Sequence, residues 1–216
     1  PDADIYSVFA RTTEGAGAKG VTAFALPGDA DGVSGEPLDL LAPHAIGTLE
    51  LHEAFVPHDH VLGNVDEGFG VAMRTLDLFR PSVGAFAVGM AQAALDEATR
   101  YAGERESFGR PLRSFQAVSH RLADAATRVK AARLLVYEAA GAYDAGQPVT
   151  KASAIAKLYA TETAQFVIDT AIQILGAKGL EKGHLLEHLY RDVRATRIYE
   201  GTSEIQREII ARELYR

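Results

Sequence analysis

The 216-residue sequence contains no cysteine, which excludes disulfides and thiolate chemistry and suits an intracellular enzyme. No apolar run approaches the ~18 residues that a membrane span requires, and no stretch reads as a secretory signal. A cytoplasmic protein with no membrane span is the expectation. Basic residues are also scarce. Lys and Arg total 22 against 29 Asp and Glu, a net charge of −7 that argues against nucleic acid as a partner. The deficit is local: residues 1–60 carry ten acidic and two basic side chains, net −8, which leaves +1 for residues 61–216. There is no internal repeat and no low-complexity tract. What is present is ordinary for a globular protein, with 47% hydrophobic and 24% charged residues. The length permits a real core and one or two domains.

Residues 1–66 read as β structure. Residues 6–10 and 20–26 are short strand-like runs bounded by turn-rich stretches at 12–19 and 27–35. Residues 48–55 alternate, with Leu49, Leu51 and Phe55 on one side, and Val56-Pro57 ends the run. Neither glycine-rich stretch opens into a helical pattern, so both are turns rather than phosphate loops. From residue 67 the period becomes helical. Helices are expected at 68–102, disturbed at Arg80-Pro81 because an internal proline removes a backbone donor, and at 115–145 and 150–175. A short helix at 184–190 and a last one from Ser203 complete the set. Long helices with short joints predict an antiparallel four-helix bundle. The fold class is α+β, mainly α, with domains at 1–66 and 67–216.

One stretch organises the helical part. In residues 191–207 a carboxylate, Glu200, follows a run with three arginines and is succeeded by Gly201, where backbone or ligand can approach closely. Ser203 with Gln206 three residues on matches a capping box ahead of the Ile205, Ile209, Ile210 stripe. Glu200 therefore precedes a helix N-terminus, where exposed N–H groups favour negative charge. Read alone, such a glutamate is most simply a solvated cap residue.

The string Tyr199-Glu200-Gly201-Thr202 resembles the C-terminal signature of the flavin-dependent acyl-CoA dehydrogenases. Ala72-Met73, Asp77 with Arg80-Pro81, residues 89–98, residues 104–109, Phe115-Gln116-Ala117 and Gln173-Ile174-Leu175-Gly176 follow in the same family's order and spacing. The resemblance spans residues 3–216. It implies α,β-dehydrogenation of an acyl-CoA or acyl-carrier-protein thioester, with FAD as cofactor and an electron-transfer flavoprotein or similar acceptor. It also implies a dimer-of-dimers homotetramer, or a hetero-oligomer. By the same resemblance Glu200 is the catalytic base, and Asp77, Arg80 and Tyr199 lie on the substrate side. Other members carry the base just before the arginine; Phe79 stands there and cannot accept a proton. Arg105, Ser107 and Phe108 match a flavin-dinucleotide contact often made across a subunit interface, and an arginine with a hydroxyl suits pyrophosphate. Phe115 and Gln116 match a nearby contact, and Gln173, Ile174, Leu175, Gly176 and Ala177 match the adenosine side, with alanine replacing the family's second glycine. Gly201, Thr202, Ser203 and Glu204 border the cofactor in relatives. The family's β domain is a barrel preceded by a helical domain, so this chain is expected to be the C-terminal part of the enzyme. The alternative is a non-catalytic structural subunit.

Other patterns carry less. His184-Leu185-Leu186-Glu187-His188 has the His-x-x-Glu-His form of inverted zinc proteases, but it falls within the dehydrogenase match. Glu181 and His184 make one Glu-x-x-His, whereas a di-iron bundle needs two such pairs and further glutamates. No metal is expected. His58-Asp59-His60 reads as a solvated turn, and Arg191-Asp192 as a structural ion pair.

Overall fold

The computed structural model describes residues 3–42 and 44–215. The chain divides into two compact units, Pro1–Leu76 and Asp77–Arg216, and the point of division lies inside the first long helix. The architecture is mainly α: helices carry the larger unit, and the strands are few and short.

In the first unit β1 (Ile5–Arg11) pairs antiparallel with β2 (Val21–Pro27), in a register that sets Val8 opposite Phe24. A 3-10 turn at Gly17–Gly20 closes the hairpin. Thr22, Ala23 and Leu26 of β2 are buried. Asp66 ties the hairpin to the stretch before α1 (Gly68–Glu104). Its carboxylate accepts from the Thr12 and Thr13 hydroxyls at 2.6 and 2.7 Å, which holds it below its ordinary pKa. The alternating run at 48–55 does not form a strand of that length. Only β3 (Val33–Ser34) and β4 (Glu50–Leu51) pair there. Leu49, Leu51 and Phe55 remain 37%, 42% and 80% exposed, because within this unit nothing covers that side.

The second unit is the antiparallel bundle. After α1 come a hairpin of β5 (Glu106–Ser107) and β6 (Arg110–Pro111), then α2 (Gln116–Asp144), α3 (Thr150–Leu175), α4 (Leu185–Thr196) and α5 (Ser203–Glu213). Four helices share one core, which is built largely from alanine. Ala87, Ala91, Ala94 and Ala98 of α1 face Ala125, Val129, Ala132, Val136 and Ala139 of α2. Ala160, Ala164, Val167 and Ala171 of α3 join them, with Leu186, Leu189 and Val193 of α4. Spacings of three and four place each set on one helical face, and small side chains let the helix backbones approach. At Gly84 a Cβ would lie 2.9 Å from Val136, so only glycine fits that crossing.

The expected disturbance at Pro81 is absent, and α1 runs through it. A proline there leaves the carbonyl of residue 77 without its helical donor. The Ser153 hydroxyl of α3 donates to the Asp77 carbonyl at 2.7 Å and replaces that bond. The helix expected at 184–190 extends to Thr196 as α4, capped by His184, whose Nδ1 accepts from the Leu186 N–H. Among the described residues no helix is long and apolar enough to cross a membrane.

Candidate active site

Glu200 lies in the link between α4 and α5, and the link is conformationally unusual. Glu200 has φ +54° and Gly201 φ +90°, so two successive residues occupy the left-handed region. A residue with a Cβ takes that conformation only when its surroundings hold it. The α5 cap differs from the expected capping box. Thr202 is the N-cap, accepting from the Ile205 N–H at 3.4 Å. Ser203 is buried and donates to Glu162 Oε1 at 2.7 Å. Gln206 turns back to the Glu200 and Gly201 carbonyls at 3.1 and 2.9 Å. Glu162 claims the Ser203 hydroxyl and the carbonyls of the left-handed turn claim Gln206, and a capping pattern in sequence has no view of either.

Two further side chains converge on this turn, one of them held in place by an aspartate. Arg80, only 3% exposed, donates from Nε to the Glu200 carbonyl at 3.3 Å and from Nη1 to Asp77 Oδ1 at 3.2 Å. Asp77 Oδ2 accepts from the Thr150 hydroxyl at 2.5 Å, locking the aspartate between α1 and α3. Lys157 of α3, fully buried, donates from Nζ to the Gly201 carbonyl at 2.9 Å. Both cations reach the main chain of the turn, and Glu200 Oε2 is sealed from solvent with no hydrogen-bond partner among the described residues.

The electrostatics follow from this arrangement. Burial raises the Glu200 pKa above the ordinary carboxylate value, and the nearby Arg80 and Lys157 charges oppose the rise. Burial pushes Lys157 down to about 8, against the pull of Glu200. Arg80 is lowered by burial and supported by Asp77 and Glu200. Tyr199 is raised by burial, then by Glu200 and Asp192. A half-buried carboxylate with a free oxygen and an elevated pKa can accept a proton from carbon; a solvated cap cannot do so efficiently.

Apart from residues 201–204, which adjoin Glu200, the remaining candidates sit at the other end of the bundle. Arg105 and Phe108 are exposed on the β5–β6 hairpin, Phe108 at 94%, and Ser107 is half-buried. Phe108 and Gly109 both have positive φ, which makes the segment a tight hairpin instead of an irregular polar loop. Phe115 packs edge-on to Phe108 at 6.4 Å and lies under the Arg110 guanidinium at 4.0 Å; Gln116 beside it is exposed. Gln173, Gly176 and Ala177 are exposed at the C-terminus of α3, and Ile174 is half-buried. Leu175 belongs to the core, so only its backbone is available to a ligand. Glu204 is exposed on α5, and Gly201 and Thr202 are half-buried.

Arg80 and Arg105 are separated by about 36 Å of helix at 1.5 Å per residue. The two guanidinium groups therefore belong to opposite ends of the bundle. The exposed Arg105 guanidinium with the half-buried Ser107 hydroxyl, and the left-handed, uncrowded Gly176, fit a cofactor's pyrophosphate and a close backbone approach.

The patterns set aside in sequence are used otherwise. His184 caps α4 and lies 3.6 Å from Glu97, while His188 pairs with Asp192 at 3.2 Å. Arg191 pairs with Glu187 at 2.7 Å and also feels the charge of Asp192, so two i,i+4 pairs run along α4 beside the expected Arg191–Asp192 attraction. Among the described residues no group of three His, Asp or Glu could hold a metal ion. Lys157 was missed in sequence. It stands among Ser153, Ala160 and Ala164 on the core stripe of α3, and a lysine on an apolar stripe was the available signal.

Residues 66–215 match the family model for the acyl-CoA dehydrogenase C-terminal domain, and the chain belongs to the acyl-CoA dehydrogenase family. It is 42% identical to a 3-(aryl)acrylate reductase of Clostridium sporogenes, across 99% of this chain and 58% of that protein. It is 39% identical to a caffeyl-CoA reductase-Etf complex subunit of Acetobacterium woodii, across 98% of this chain and 56% of that protein. Among solved structures, butyryl-CoA dehydrogenase from Megasphaera elsdenii superposes with a TM-score of 0.95 at 40% identity, covering 99% of this chain and 57% of that one. The chain thus spans little more than half the length of these relatives.

Proposed function

We propose that the chain is the base-bearing part of an FAD-dependent enzyme that interconverts saturated and α,β-unsaturated acyl thioesters. The observation that carries this reading is the Glu200 carboxyl, with one oxygen buried and unpartnered and two cations held on the adjacent carbonyls. In the dehydrogenation direction Glu200 removes the α proton of the thioester, and its raised pKa brings it closer to so weak an acid. Arg80 and Lys157 keep a fraction of Glu200 ionised despite burial, and Asp77 with Thr150 fixes Arg80. Tyr199 helps exclude water. FAD, when bound, supplies the acceptor for the β hydrogen as hydride. Arg105 and Ser107 would bind its pyrophosphate, with Phe108, Phe115, Gln116 and the 173–177 segment along the dinucleotide and residues 201–204 at the flavin end.

The separation of the two ends of the bundle supports an oligomer in which the Arg105 hairpin of one copy serves a flavin beside the Glu200 of another. A dimer-of-dimers tetramer satisfies that requirement. Relatives are named both as reductases and as a dehydrogenase, and one belongs to an Etf complex. The same carboxyl can give or take the proton, and an electron-transfer flavoprotein or similar carrier is the proposed electron partner. We place the domain boundary at residue 66, where the family match begins.

The test is anaerobic mixing of the flavin-loaded protein with short-chain and aryl acyl-CoA thioesters. Bleaching of the flavin in the wild type, and its loss in Glu200→Gln at equal flavin content, is the expected result. A colourless protein that never takes up FAD would identify a structural subunit instead.

A further inference from the structure

We infer that Lys157 and Gln206 are positioning residues that clamp the Glu200–Gly201 turn, setting the direction of the Glu200 carboxyl while leaving its oxygen free. The inference rests on the reading of Glu200 as the base and adds a positioning role for two residues, of which that reading uses only the charge of Lys157.

Its ground is geometric. The Gly201 carbonyl accepts from Lys157 Nζ and from Gln206 Nε2, both at 2.9 Å, and the Glu200 carbonyl accepts from Gln206 Nε2 at 3.1 Å. Lys157 and Gln206 are each fully buried, one on α3 and the other on α5. The carbonyls they hold belong to the two residues with positive φ, one of which carries a Cβ. Between them the donors pin the turn to two separate helices. A Cβ on Gly201 would lie 2.8 Å from the Gln206 amide, so the glycine and the glutamine are fitted to each other.

A neutral side chain could hold a carbonyl, yet a lysine is used and buried at some expense. Its ammonium brings positive charge beside Glu200 without occupying the carboxyl oxygen, which stays free to receive a proton. The charged and titratable groups facing Lys157 are Glu200 and Arg197 on the link after α4, Arg80 on α1 and Glu162 on α3. Those facing Glu200 are Arg80 and Lys157, with Tyr199 alongside. Removing the lysine charge therefore deletes one of two cations that hold the Glu200 carboxyl ionised, and its titration should move alkaline.

The experiment uses the complete flavin-loaded enzyme containing this chain. Lys157→Met keeps the length of the side chain and removes the charge and the donor. Two readouts are taken. The first is the Glu200 carboxyl titration by 13C NMR, assigned by its absence in Glu200→Gln, and it needs no turnover. The second is the split between kcat and KM. The expected results are an alkaline shift of the titration, a fall in kcat of about 10²-fold from misdirection of the base, and KM within about threefold. In Gln206→Met, kcat should fall with the titration unmoved, because that change removes position without charge. A titration that moves in a protein no acyl-CoA can bleach would retire the proposed reaction and keep the clamp. Bleaching by substrate with kcat and titration unchanged in folded Lys157→Met would overturn the clamp. Should Lys157→Met fail to fold, wild-type kcat in Gln206→Met overturns it instead.

Discussion

The two ends of the helical bundle carry chemistry in opposite ways. At the Glu200 end the chain satisfies its own polar groups: Arg80 is held by Asp77, Asp77 by Thr150, and the turn carbonyls by Arg80, Lys157 and Gln206. The Glu200 carboxyl oxygen is left unpartnered among the described residues, as are Gln206 Oε1 and Arg197 Nε. At the other end Arg105, Gln116, Gln173 and Gly176 are exposed, and Phe108 shows 94% of its surface. A group whose pKa must be shifted has to be buried by its own scaffold, because water would restore the ordinary value. A group that grips a large ligand or a neighbouring copy has to stay uncovered until that ligand arrives. On the proposed function, the first end is preorganised and the second waits for its occupant.

Substitutions can break this contrast. The largest effect is expected from Glu200→Gln, which should lower flavin reduction by acyl-CoA about 10²–10⁴-fold while fold and flavin content persist; stopped-flow absorbance measures it. Next is Arg105→Ala. Loss of a charge-assisted bond of about 1.5–3 kcal/mol should weaken FAD retention roughly ten- to a hundredfold, read by equilibrium dialysis, with circular dichroism unchanged. If helicity falls instead, that end is not waiting but structural.

Ser153→Ala probes the closed end. It strips the donor from the Asp77 carbonyl opposite Pro81 and should cost about 1–3 kcal/mol in urea unfolding. The same change in a Pro81→Ala background should cost less, because alanine returns the helical N–H. The smallest effect is a pH dependence. The Glu200 pKa is raised in the folded state, so its contribution to stability is full below the ordinary carboxylate value and is lost as pH rises through the raised one. Glu200→Gln should therefore melt higher than wild type at pH 7, by on the order of a few °C. The gap should close in acid. A wild type that melts higher at pH 7 would mean the carboxylate is stabilised rather than strained.

Much of this molecule was legible in its residues. The change to a helical period placed α1, α2 and α3 close to their observed ends, since a helix face is a local property of sequence. Glu200 was singled out by the resemblance of its Tyr-Glu-Gly-Thr string to a known family, since its neighbours in sequence read alone made it a solvated cap. The misses have one origin. The continuity of α1 through Pro81 depends on Ser153, 72 residues away. The cap of α5 passes to Thr202 because Glu162 claims Ser203 and the turn carbonyls claim Gln206. The run at 48–55 has strand alternation but only a two-residue partner.

The order of side chains along the chain determined by itself which stretches coil and which residue types could move a proton or hold a phosphate. Only the packed fold decided that Glu200 has an unpartnered buried oxygen, that Lys157 lies beside it, and that Arg105 is a bundle's length away. Periodicity and capping act over a few residues, whereas desolvation and charge proximity are set by helices that meet after the chain has turned back on itself. A carboxylate's pKa therefore belongs to its three-dimensional neighbours and not to the residues that flank it.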